Sequence, residues 1–165
     1  MRTLIIGYGN ADRQDDGVAW HVLAGIARRL GRAVPAAPED GFFPEGEEID
    51  LWYVLQLAPE MSEDFAGYER ICFIDAHTGN IAEEILLQPV EASPASSAFT
   101  HHLTPATCLA LTQTIYGKTP EAMLLSIRGH QFGFSRELSP QTAALAVQAL
   151  EILGKWLGNC QLMLD

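Results

Sequence analysis

Basic residues are scarce in this 165-residue chain: 10 Lys and Arg stand against 21 Asp and Glu, for a net charge of −11. Contacts to phosphate need clustered Lys or Arg, so the balance argues against nucleic acid or an anionic membrane as partner. Cysteine is scarce too. Cys72, Cys108 and Cys160 form no Cys-x-x-Cys pair, and an odd count suits neither a disulfide framework nor a Cys-based zinc site. Buried, reduced thiols are therefore expected. Long apolar runs are missing: none approaches the ~18 residues of a membrane span. The run after Met1 is too short for a signal peptide, and a cytoplasmic protein is expected. Repeats and low-complexity segments are absent as well.

Hydrophobic residues make up 48% of the chain, enough for a core. The length fits one domain spanning residues 1–165. Charge is unevenly spread, with 17 acidic and 6 basic side chains in residues 1–100 and 4 of each afterwards. Short apolar runs at Thr3–Tyr8, Ile49–Gln56, Arg70–Asp75, Glu83–Val90 and Ala122–Ile127 read as strands. Helical spacing of Val18, Val22, Leu23, Ile26 and Leu30 predicts a helix that Gly31 stops. A short helix is expected from Pro59 to about Gly67. Thr104-Pro105 and Ser139-Pro140 are cap-then-proline starts for helices over roughly 105–116 and 140–157. The Pro-rich acidic stretch 33–48 reads as an exposed loop.

Strands of apolar rather than alternating character, interleaved with helices, indicate a three-layer αβα sandwich with a largely parallel sheet. Ligands of such sheets gather beyond the carboxyl ends of the strands, which directs attention to the polar groups there. The first strand runs into Gly7-Tyr8-Gly9-Asn10 and then Asp12, Asp15, Asp16 and Gly17. A dinucleotide fingerprint would need glycine where Asp12 stands, and three carboxylates would repel a pyrophosphate. Asp15 is expected to cap and charge the helix that starts at Val18. Asp16 is better placed for chemistry. Asp75 closes the third strand, either as a site carboxylate or as an Asx-turn residue. Thr100-His101-His102 precedes a capped helix, and one of its two rings is a possible ligand. His21, His77 and His130 read as structural. Two carboxylates and one imidazole with open positions suit a borderline divalent ion such as nickel or zinc.

The segment Gly7-x-Gly9-Asn10-x4-Asp15-Asp16-Gly17, the strand end Ile74-Asp75-Ala76 and the histidine before the next capped helix resemble the hydrogenase maturation endopeptidases. Weaker pieces follow in the same order: Gln56-Leu57-x-Pro59-Glu60, Ile127-x-Gly129-x-x-Phe132 and Leu138-Ser139-Pro140. The resemblance implies a five-stranded mixed, mostly parallel sheet in a phosphorylase/hydrolase-like αβα sandwich. It implies a monomeric protease that removes the C-terminal extension of a [NiFe]-hydrogenase large-subunit precursor after nickel insertion. By position, the catalytic carboxylates are Asp16 and Asp75. The metal ligands are these two and His101, with His102 as the alternative. Nickel would be supplied by the precursor, with zinc or cadmium able to substitute. The loop His77-Thr78-Gly79-Asn80 departs from the family pattern, and this motivates an alternative: a metal- or precursor-binding module that does not cleave. A small-molecule hydrolase is a third reading.

Overall fold

Apolar strands at the centre of the sheet bury both faces, and helices cover each side. The computed structural model describes residues 1–94 and 103–158. Strand β1 (Thr3–Tyr8) leads through a 3-10 turn (Gln14–Gly17) into helix α1 (Val18–Arg29). Strand β2 (Ile49–Val54), helix α2 (Met61–Phe65) and strand β3 (Arg70–His77) follow. Strand β4 (Ile85–Pro89), helix α3 (Pro105–Tyr116), strand β5 (Glu121–Arg128) and helix α4 (Pro140–Leu157) complete the order. The sheet runs β2-β1-β3-β5-β4, with β4 antiparallel to β5 and the other pairings parallel. This is the mixed, mostly parallel α/β sandwich expected from the sequence.

Alternation along the central strands divides the core in two. Ile5, Cys72, Ile74, Leu125 and Ile127 face α1 and α4. Leu4, Ile6, Ile71, Phe73 and Ala122 face α2 and α3. Both proline-started helices are capped as their sequences require: Thr104 Oγ1 accepts from the Thr107 N–H, and Ser139 Oγ from that of Thr142. Burial of aliphatic side chains at about 25 cal/mol per Å² is what holds the layers together.

Helix α2 is shorter at both ends than the expected Pro59 to Gly67, and the boundaries of β2 and β3 differ from expectation for pairing reasons. β3 continues past Asp75 to His77 because β5 continues beside it, with Ala76 opposite Ile127 and His77 opposite Arg128. β2 ends at Val54, whose carbonyl accepts the Gly9 N–H, and beyond it β1 offers no further partner. The 33–48 stretch is less exposed than its composition suggests. It holds a 3-10 turn at Pro38–Asp40, buries Phe42 in the core, and accepts a bond from the sheet edge, the Tyr53 N–H donating to the Phe42 carbonyl. The acidic loop thus shields edge strand β2 from pairing with another chain. Cys72 and Cys108 are free and buried; Cys160 lies outside the described residues. No helix among the described residues is long and apolar enough to cross a membrane.

Candidate active site

The turn after β1 is built by close approach. A Cβ on Gly7 would stand 2.8 Å from the Ala19 Cβ, and one on Gly9 only 2.1 Å from the Asp16 carbonyl oxygen. Gly9 also has φ +142°, a conformation that side-chain-bearing residues avoid. The two glycines let α1 and its leading turn fold back onto the end of β1. Packing, not phosphate binding, accounts for them. The turn is closed by polar bonds: the Asn10 backbone N–H donates to Asp16 Oδ2 at 2.8 Å. The Asp12 N–H donates to Asn10 Oδ1 at 3.0 Å, and the Tyr53 hydroxyl to the Gly9 carbonyl at 2.5 Å.

Asp15 and Asp16 are neighbours with opposite fates. Asp15 is wholly buried, and it does not cap α1, which has no side-chain cap. Its carboxylate instead collects the N–H groups of His130 and Gln131 at 2.8 and 2.9 Å. It also accepts from the N–H and Oγ of Ser139 at 2.8 and 2.6 Å and from Thr142 Oγ1 at 2.8 Å. Burial alone would raise the pKa of this carboxyl, but the donors from Ser139, Gln131 and His130 outweigh it and hold the group at about 2. Asp15 is therefore a tertiary staple joining the turn after β1 to the start of α4, a role visible only across 115 or more residues of chain.

Asp16 and Asp75 come together. Both line a cavity of about 670 Å³ at the carboxyl ends of β1 and β3, together with Tyr8, Asn10, Leu57 and Thr104. Asp75 extends the series Ile71, Phe73 onto the α2/α3 face of the sheet, where Tyr8 extends Leu4 and Ile6. The Tyr8 hydroxyl donates to the Asp75 carboxylate. Burial pushes Asp75 up to about 6; the Tyr8 bond opposes that rise and the Asp16 charge adds to it. Burial and the neighbouring Asp75 also drive the Tyr8 phenol far above its ordinary range. It stays protonated and acts as a donor. A carboxyl with so perturbed a pKa in a cleft is a mark of a functional site.

The expected imidazole, His101 with His102 as its alternative, lies outside the described residues. Leu103, Thr104 and Pro105, which follow it in sequence, line the same cavity. Among the described residues no group of three or more His, Cys, Asp or Glu side chains could hold a metal ion. What the described residues offer an ion is a pair of carboxylates, oxygen donors suited to a divalent cation. The other histidines have separate partners. His21 Nε2 lies 3.1 Å from the Arg136 carbonyl, His77 Nδ1 accepts from the Gly79 N–H at 3.1 Å, and His130 Nε2 lies 3.2 Å from Glu84. Asp12 is paired at 2.7 Å with Arg136, which also reaches Glu39 at 3.0 Å. Tyr8 and Asn10 were not singled out from sequence as site residues. A phenol at the last position of a strand has no signature until β3 is placed beside β1.

No protein-family model matches the chain, and no curated protein matches it in sequence. Solved structures do match. The hydrogenase maturating endopeptidase HybD from Escherichia coli superposes with a TM-score of 0.66 at 17% identity, covering 97% of this chain and 94% of that one. The [NiFe] hydrogenase maturation protease HycI from Thermococcus kodakarensis KOD1 gives 0.63 at 18%, over 96% and 93%. The [NiFe] hydrogenase maturation protease HybD from Thermococcus kodakarensis gives 0.61 at 21%, over 94% and 99%. The chain thus has, from end to end, the fold of the hydrogenase maturation endopeptidases.

Proposed function

We propose that this protein is a cytoplasmic endopeptidase that removes the C-terminal extension of a [NiFe]-hydrogenase large-subunit precursor once nickel is in place. The observation that carries the reading is the meeting of Asp16 and Asp75 in one cavity at the strand ends, on a fold shared with maturation proteases. Nickel is here part of the substrate. Asp16 and Asp75, with His101 or else His102, would complete its coordination and so recognise a loaded precursor. An ion with an open position polarises a peptide carbonyl and activates water.

The chain's own residues prepare that encounter. Asn10 holds one oxygen of Asp16 through its N–H, and the carboxylate lines the cavity. The Tyr8 hydroxyl and the Ala76 N–H orient Asp75 in the same way. In its ionised form a carboxylate of the pair can accept the proton of an attacking water. Thiol nucleophiles are ruled out among the described residues. Burial pushes Cys72 and Cys108 up to about 12 and 11, far from the thiolate form.

Incubation with nickel-loaded precursor, followed by mass spectrometry, tests the reading. The expected result is loss of the mass of the tail. A precursor that binds but stays intact, under conditions where a related protease cuts it, would establish the non-cleaving module instead. Asp16→Asn and Asp75→Asn should each abolish turnover while leaving the protein folded.

A further inference from the structure

A second cleft adjoins the acid pair. It has a volume of about 460 Å³ and shares Gly9, Asn10 and Leu55 with the Asp16–Asp75 cavity, so the two follow one another along the ends of β1 and β2. Its apolar walls are Phe43, Tyr53 and Leu55. Phe43 and Leu55 are 64% and 65% exposed, an unusual position for two large apolar side chains side by side in one cleft. Its polar rim is Asp12, Glu39 and Arg136, tied together by two ion pairs of 2.7 and 3.0 Å. Two carboxylates and one guanidinium leave the rim with a net negative charge.

We infer that this cleft is a peptide subsite: it takes an extended segment of the substrate flanking the scissile bond, with an apolar side chain seated against Phe43 and Leu55 and a basic residue beside it at the Asp12–Glu39 rim. The inference rests on the endopeptidase reading, under which a peptide must cross the acid pair and leave it along one side. Three features converge on this occupant. The cleft lies in the range of roughly 300–1,000 Å³ typical of ligand pockets, enough for one or two side chains and too small for a folded surface. It is continuous with the cavity where cleavage is proposed. Its residual charge complements a cation, in a chain whose acids crowd the first hundred residues.

The loop 33–48 thereby acquires a purpose that composition hid. Its anchor is the bond from the Tyr53 N–H to the Phe42 carbonyl. Its tip is tied by Arg136, which joins Glu39 to the turn after β1. Phe43 stacks over Gly41, where a Cβ would lie 3.2 Å from the ring. A loop held at both places presents Phe43 at a fixed position, so little ordering cost remains for binding.

The probe is the pentapeptide acetyl-Gly-Lys-Leu-Val-Gly-amide, titrated into the ¹⁵N-labelled full chain and followed by amide chemical shifts. Shifts should cluster at Gly9, Gly41, Phe43 and Leu55. Replacing the peptide's lysine by glutamate, or Phe43→Ala in the protein, should weaken binding at least fivefold. With nickel-loaded precursor, Phe43→Ala should raise KM about tenfold and change kcat less than twofold. The subsite is overturned if wild type cleaves the precursor, Phe43→Ala and Leu55→Ser keep its KM, and the peptide leaves these amides unmoved. Clustered shifts without any cleavage would instead remove the endopeptidase reading and leave a peptide-binding cleft.

Discussion

Replacing Asp75 by Asn should make the metal-free protein more stable at neutral pH while abolishing its activity. The folded protein holds the Asp75 carboxyl at about 6, against 3.8 for an ordinary aspartate. A shift of that size corresponds to about 3 kcal/mol of differential stability between the two protonation states. The sign follows from its direction. A raised folded-state pKa favours the protonated form in the fold, so this contribution is fully present below 3.8 and is lost as pH rises through about 6. At pH 7 the ionised Asp75 therefore works against the fold, by burial first and by the Asp16 charge in addition. Asparagine has the same shape, stays neutral, accepts the Tyr8 hydroxyl through its carbonyl oxygen and offers an amide to Asp16. Allowing for the bond that Asp75 takes from the Ala76 N–H, the expected gain at pH 7 is about 2–3 kcal/mol. That is a rise in Tm of roughly 4–12 °C for a chain of this size. The assay is urea unfolding of both proteins in EDTA from pH 4 to pH 8, since ions would reverse the balance by favouring the carboxylate. The gap should be widest above pH 7 and close near pH 4. A variant less stable than wild type at pH 7, or a gap that does not narrow below pH 5, would refute the reasoning. A gain would mean that this position trades stability for chemistry.

Asp15→Asn should do the opposite, costing about 2.5 kcal/mol at pH 7 from the charge alone, because the carboxyl is held at about 2 against 3.8. That stabilisation is present above 3.8 and lost as pH falls through about 2, so about half the gap to wild type should remain in urea melts at pH 3. Tyr8→Phe removes a bond that favours ionised Asp75, so the acid limb of the kcat/KM profile should move to higher pH with KM little changed. Gly9→Ala would set a Cβ 2.1 Å from a backbone oxygen at φ +142°; thermal melts should show at least ~3 kcal/mol of destabilisation, since backbone rather than a flexible side chain must give way.

Much of the architecture can be read directly from local pattern. Apolar runs marked the strands, and Thr104-Pro105 and Ser139-Pro140 marked helix starts, because caps and proline act through bonds within one turn. The order of strands beyond the parallel core, the extension of β3 to His77 and the early end of β2 depend on which neighbour each strand meets, and pairing is a property of the assembled sheet.

The same division runs through the site. The sequence offered Asp16, in the turn after β1, and Asp75, at the end of an apolar strand, as candidate carboxylates, and the family resemblance made them a pair. Their convergence, the Tyr8 bond and the pKa near 6 were decided by tertiary structure, because burial and a neighbouring charge act through space. Asp15 makes the point most sharply. Locally it looked like a cap for the helix it precedes; in the fold its donors come from Gln131, Ser139 and Thr142, more than a hundred residues away. The acidic 33–48 loop is a second case. Its charge and prolines were plain in the sequence, but its place against the edge of β2, with Phe43 facing the cleft, arises only when residues far apart in the chain are brought into contact.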